Sequence, residues 1–154
     1  MIMFCDASFD YLSTNATSEP FVRGKIAISD GRDFNRVERV AIGKVDGLRQ
    51  YINILELTAI CRAVELAHDV CKEDSLSVRS DSMVALAWAK RGKIPNKIRT
   101  QAHVSVLEYL AKVSAQFYGT SLERSIEFIH VGRDNNPAGK LLEAELLKEP
   151  PHTV

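Results

Sequence analysis

Three acidic residues stand where acids are costly. Asp6 follows the apolar run Met1 to Cys5, and Asp81 follows the short apolar run Leu76 to Arg79. Glu56 lies between Leu55 and Leu57 in the first turns of a strongly apolar helical pattern. Each alone has an ordinary explanation: a carboxylate at a strand end caps a loop or is solvated, and an acid early in a helix favours the helix dipole. Brought together, the three repel one another and require a cation. Oxygen-only donors select a hard divalent ion such as Mg²⁺ or Mn²⁺, which keeps several waters and completes its shell with phosphate oxygens. Two such ions in one site clamp the attacking and leaving oxygens of a phosphodiester displacement.

The elements that must position these acids are legible in the hydrophobic pattern. Met1 to Cys5 reads as a buried strand ended by Asp6, and residues 10–20 as a polar loop. Phe21 to Ser29 and Val37 to Val45 read as two further strands joined at the Asp30-Gly31 turn signal. Ile52 to Val70 carries apolar residues at helical spacing. Leu76 to Arg79 is a short strand, Met83 to Lys90 a helix, and Ile98 to Ser114 a longer helix. Ser125 to Val131 is a last strand and Lys140 to Leu147 a last helix. The order βββαβααβα predicts an α/β fold, a mixed sheet flanked by helices. If the first and fourth strands are parallel neighbours, Asp6 and Asp81 meet at one edge, and the helix carrying Glu56 can cross to the same point.

Composition narrows the classes. The 154 residues are 45% hydrophobic and 26% charged, which is one ordinary globular domain. Twenty basic residues balance 20 acidic ones, which argues against a strongly basic nucleic-acid coat protein while leaving local sites open. Cys5, Cys61 and Cys71 have no metal-ligand spacing and suit a reduced, cytoplasmic protein. The first residues lack a signal-peptide pattern, and no apolar stretch is long enough to span a membrane. Asn15-Ala16-Thr17 fits a glycosylation pattern but reads as a polar loop. The whole is expected to be a single monomeric domain over residues 1–149 with a short tail at 150–154.

Local sequences around the acids resemble a known family. Phe4-Cys5-Asp6-Ala7-Ser8, Asn53-Ile54-Leu55-Glu56-Leu57, Val78-Arg79-Ser80-Asp81-Ser82 and Gly132 to Leu141 resemble, in order and spacing, four motifs of type 1 ribonuclease H. The resemblance covers nearly the whole chain. It implies a five-stranded mixed sheet and a metal-dependent endonuclease that cuts the RNA strand of an RNA/DNA hybrid, leaving 5′-phosphate and 3′-hydroxyl ends. Asp6, Glu56 and Asp81 would hold the Mg²⁺ or Mn²⁺ ions, two in number. Asn53 would lie near the minor groove of the hybrid, and Ser8, Ser82 and His130 would contact substrate. The 2′-hydroxyl is the group that tells RNA from DNA.

One position departs from the family. Its fourth acid enters the last helix in the pattern Asn-x-x-Ala-Asp, and aligning Asn135 and Ala138 puts Gly139 at the Asp. Asn136, through its amide oxygen, is counted among the candidate catalytic residues. Glu143, one turn later on the same helix face, and Asp134, on the approaching loop, are the other candidates. Otherwise nothing replaces the acid, and the fold is weakened or silent and binds nucleic acid or a protein partner. His130 serves leaving-group protonation or is structural. Lys90 to Arg99 is the one basic cluster, a reduced phosphate handle or a solvated connection. Trp88 reads as core, and His68, His103 and His152 as structural or exposed.

Overall fold

The computed structural model describes residues 1–13, 21–42, 48–72, 75–92, 94–95 and 126–148. The strands are β1 (Ile2–Ser13), β2 (Phe21–Ser29), β3 (Asn35–Ile42), β4 (Leu76–Ser80) and β5 (Ile126–His130). The helices are α1 (Leu48–Asp69), α2 (Met83–Arg91) and α3 (Pro137–Lys148). One five-stranded sheet has the order β3-β2-β1-β4-β5. β1, β2 and β3 pair antiparallel, whereas β4 lies parallel to β1 and β5 parallel to β4. The expected mixed sheet is therefore present. The expected helix Ile98 to Ser114, most of the basic cluster, the glycosylation pattern, His103, His152 and the tail lie outside the described residues.

Three boundaries differ from expectation in ways that bear on the site. β1 does not stop at Asp6 but runs on to Ser13, with Asp6 opposite Ala27 of β2. A charge need not end a strand when alternate residues face opposite ways. Met3, Cys5 and Ala7 are buried in the main core, while Phe4 packs in a separate cluster. α1 begins at Leu48, so Glu56 falls in its third turn, beyond the reach of the N-terminal dipole. α3 begins at Pro137, a residue whose fixed φ and missing N–H suit a first helical position.

The main core lies between the sheet and the helices α1 and α2. Ile54, Leu55, Leu57, Ile60 and Leu66 of α1 are buried with Ile26 and Ile28 of β2, Val78 of β4, and Trp88 of α2. The other face holds a smaller cluster of Ala27, Ala138 and Leu142, with Phe4, Val37 and Leu141 half-buried around it. The β2–β3 turn closes through Asp30, whose backbone N–H donates to the Phe34 carbonyl and whose Oδ1 accepts from the N–H groups of Arg32 and Phe34. Gly31 supplies the left-handed conformation there, with φ of 82°.

Candidate metal centre

Strand register brings the acids together. Phe4 is level with Arg79 in the parallel pair, so two residues on, Asp6 is level with Asp81. Asp81 lies one residue past the end of β4, so the edge of β1 beside Asp6 loses its neighbour and the sheet opens. Glu56 enters this opening from α1. One carboxylate oxygen from each of Asp6, Glu56 and Asp81 lies within 4.8 Å of the others. Among the described residues this is the one cluster of ligating side chains with such geometry.

Burial and mutual repulsion set the electrostatics of the three acids. Burial, then the charge of Asp81, raises the carboxyl of Asp6 above its usual range. Burial, the charge of Asp6 and a hydrogen bond shared with it push Glu56 up to about 10. The negative charges around it, added to burial, also push the Cys5 thiol well up. Glu56 is only 6% exposed, and its Oε2 has no hydrogen-bond partner. An orphan carboxylate oxygen at this depth is costly. A hard divalent cation among the three acids would satisfy it, so the donor set fits Mg²⁺ or Mn²⁺.

The connection from β5 to α3 is fastened beside both aspartates. The Val131 N–H donates to the carbonyl of Ser80, the residue before Asp81. The Asn136 amide nitrogen donates to the carbonyl of Cys5, the residue before Asp6, at 3.1 Å. Its Oδ1 accepts from the Ala138 N–H at 3.1 Å, a cap on the first turn of α3. Asn136 is thus 1% exposed with both ends of its amide engaged. These bonds make it a tether between α3 and β1 and leave its oxygen turned to the helix rather than to the acids. Asp134 and Glu143 are exposed and fall outside the acidic cluster. Gly139 faces the cluster directly: a Cβ built there would lie 3.0 Å from Oδ2 of Asp6.

The remaining candidates lie on the elements that carry the acids or on the neighbouring β5. Asn53 is half-buried one turn before Glu56 on α1. The Ser8 hydroxyl is shielded and has no hydrogen-bond partner. Ser82 caps α2, its hydroxyl accepting from the Ala85 N–H, and its own N–H donates to the Ser80 hydroxyl. His130 is exposed at the end of β5, level with Ser80. Sequence reasoning missed Arg133, whose guanidinium is close enough to Asp6 to favour its ionised form. It missed the Asn136 tether too, although Asn before Pro is a helix-start signal.

No family model matches the chain, and no curated protein does. Solved structures do. Ribonuclease H1 of the halophilic archaeon Halobacterium salinarum aligns over 96% of this chain and 98% of its own, at 16% identity and a TM-score of 0.56. A compost metagenomic ribonuclease H1, LC11, solved in complex with an RNA/DNA hybrid, aligns over 94% and 98%, at 19% identity and a TM-score of 0.53. The N-terminal ribonuclease H domain of a Mycobacterium tuberculosis protein aligns over 92% and 95%, at 14% identity and a TM-score of 0.52. With strand order, strand directions and end-to-end coverage all in agreement, this chain has the type 1 ribonuclease H fold.

Proposed function

We propose that this chain is a divalent-metal-dependent endonuclease that hydrolyses the RNA strand of RNA/DNA hybrids. The observation that carries the reading is the buried, unpartnered Oε2 of Glu56 inside a cluster with Asp6 and Asp81. The fold shared with a ribonuclease H1 that binds a hybrid supports the substrate class. In this reading Asp6, Glu56 and Asp81 hold Mg²⁺ or Mn²⁺. When bound, the metal supplies an activated water and stabilises negative charge on the phosphate. The chain's own residues do the rest. Glu56 and Asp6 would hold the cation in their ionised forms. Asn53 and Ser8 flank the acids and are assigned to the sugar edge of the hybrid. Exposed His130 is assigned to protonating the 3′-oxygen as the P–O3′ bond breaks, which leaves a 5′-phosphate and a 3′-hydroxyl. Ser82 is assigned a substrate contact besides its cap, and Asn136 acts by positioning α3.

The chain is proposed to act as a single monomeric domain, which the supply of all three acids by one chain supports. A reduced, cytoplasmic setting is supported by three free thiols. No described helix is long and apolar enough to cross a membrane. The test is cleavage of a labelled hybrid with Mg²⁺, Mn²⁺ or EDTA, beside RNA and DNA duplex controls. Metal-dependent cutting confined to the RNA of the hybrid is expected, with Asp6→Asn and Asp81→Asn each lowering the rate by at least about 100-fold. Gly139 favours a second reading, a fold that binds the hybrid without cutting it. Hybrid binding by folded protein with no cleavage under either metal would establish that reading instead.

A further inference from the structure

We infer that the centre formed by Asp6, Glu56 and Asp81 holds a single divalent ion, because the α3 position that faces Asp6 is Gly139, which offers no further ligand. The inference rests on the proposed metal centre and concerns its stoichiometry. Asp6 has two oxygens. Its Oδ1 accepts from the Ala7 N–H at 2.9 Å, and its Oδ2 is the atom that a Cβ at Gly139 would approach to 3.0 Å. A side chain at 139 would therefore start against Asp6, whose carboxylate would have to give by a few tenths of an ångström.

The close approach is built in. Asn136 ties the start of α3 to the Cys5 carbonyl. Ala138 is fully buried against the sheet, in one cluster with Ala27, the β2 residue opposite Asp6. Small residues on both sides let the helix backbone come down onto β1. No described acid compensates: Asp134 and Glu143 lie outside the cluster. Charge points the same way. One dication nearly balances the three carboxylates. A second would leave it positive beside Arg133, whose charge already favours ionised Asp6.

The deciding experiment is crystallographic. Crystals of the wild-type chain are soaked in MnCl₂, alone and with a hybrid whose RNA strand is 2′-O-methylated. Anomalous peaks are then counted among Asp6, Glu56 and Asp81. One peak in both crystals is expected. Two peaks, with or without hybrid, overturn the single-ion inference and leave the metal centre standing. No peak in either overturns the metal centre itself. In solution, calorimetric titration with Mn²⁺ should give one equivalent that Asp6→Asn abolishes; two equivalents lost together would also overturn the inference. Gly139→Ala probes the contact. Its methyl group should push Asp6 aside and weaken Mn²⁺ binding about tenfold, and unchanged affinity would show that α3 does not crowd Asp6.

Discussion

The two faces of the sheet are built differently, and the metal centre lies where they meet. Under α1 and α2 the core is deep and aliphatic, with Ile54, Leu55, Ile60, Ile26 and Ile28 all buried. Under α3 it is thin: among the described residues Ala27, Ala138 and Leu142 are buried there. Glu56 comes from the deep side and is fixed by the packing of its neighbours Leu55 and Leu57. Among its described residues α3 brings no acid to the cluster, and its start is tied down by one buried amide, Asn136. Packing holds Glu56; a hydrogen-bond tether holds the helix that meets the cluster through a glycine.

The largest effects on stability should therefore come from the deep side. Leu55 is fully buried, and its methyl groups fill the space above Gly24, where an added Cβ would lie 2.8 Å from Leu55 Cδ1 and 2.7 Å from the Ser8 carbonyl oxygen. Leu55→Ala should cost about 3–5 kcal/mol in urea unfolding, against about 2 kcal/mol for Leu142→Ala on the thin side. Gly24→Ala should cost about 1–3 kcal/mol by overpacking. Equal costs for the two leucines would break the contrast between the faces.

How much of this was legible in the sequence follows the same division. The three acids and the run of strands and helices are readable because apolar runs mark strands; that β1 and β4 are parallel neighbours, bringing Asp6 level with Asp81, is a condition the structure fulfils. The end of β1 is not legible, because a carboxylate after an apolar run looks like a terminator while the strand continues to Ser13. A carboxylate in mid-strand is tolerated only because β4 stops at Ser80 and Glu56 meets it there, a tertiary fact. The start of α1 was set too late, since the segment before Ile52 lacks the apolar spacing that marks the rest. On the thin side little was readable. Ala27 and Ala138 matter through how closely two backbones approach, and Asn136 through a bond to a residue distant in sequence, neither of which has periodicity.

A separate effect on the deep side is one of charge. Glu56 is raised from an ordinary carboxyl value of 4.5 to about 10 in the metal-free protein. Below 4.5 it is protonated folded and unfolded, so nothing is lost. Between 4.5 and about 10 the folded state holds a proton that the unfolded chain releases. Stability of the metal-free protein should fall across that window by ~1.4 kcal/mol per pH unit for each proton so held. Glu56→Gln should flatten this slope and stabilise the metal-free protein at neutral pH, while abolishing the stabilisation that Mg²⁺ gives the wild type. Urea titrations at about pH 6 and about pH 8 check it, and parallel slopes for the two proteins would contradict the shift.

The tether itself should cost less. Asn136→Ala removes a helix cap and leaves the buried Cys5 carbonyl without its donor, for a combined loss of about 2 kcal/mol. Because the tether also sets the approach of α3 to Asp6, Mn²⁺ affinity should change as well. Asn136→Asp separates the two bonds: it can still accept from the Ala138 N–H but cannot donate to Cys5. If stability returns with Asp while Mn²⁺ affinity does not, the bond to Cys5 is the one that places the helix.

The smallest effect is expected from the ion-pair network on the deep side. Arg62 of α1 donates to Glu38 of β3 at 2.8 Å and also pairs with Glu65. Those hydrogen bonds raise the guanidinium further above its usual value. The side chains of Arg62 and Glu38 are 30% and 28% exposed, so water screens much of the attraction. A double-mutant cycle with Arg62→Met and Glu38→Gln should return about 0.5–1 kcal/mol. Mn²⁺ affinity should not move, because the pair joins β3 to the far side of α1 and touches none of the three acids. A network with more formal charge than the Asn136 tether would thus matter less to the site, since a buried neutral amide acts where water cannot compete. A shift in Mn²⁺ affinity with Arg62→Met would mean instead that α1 as a whole, and not the local packing at Leu55 and Leu57, sets the position of Glu56.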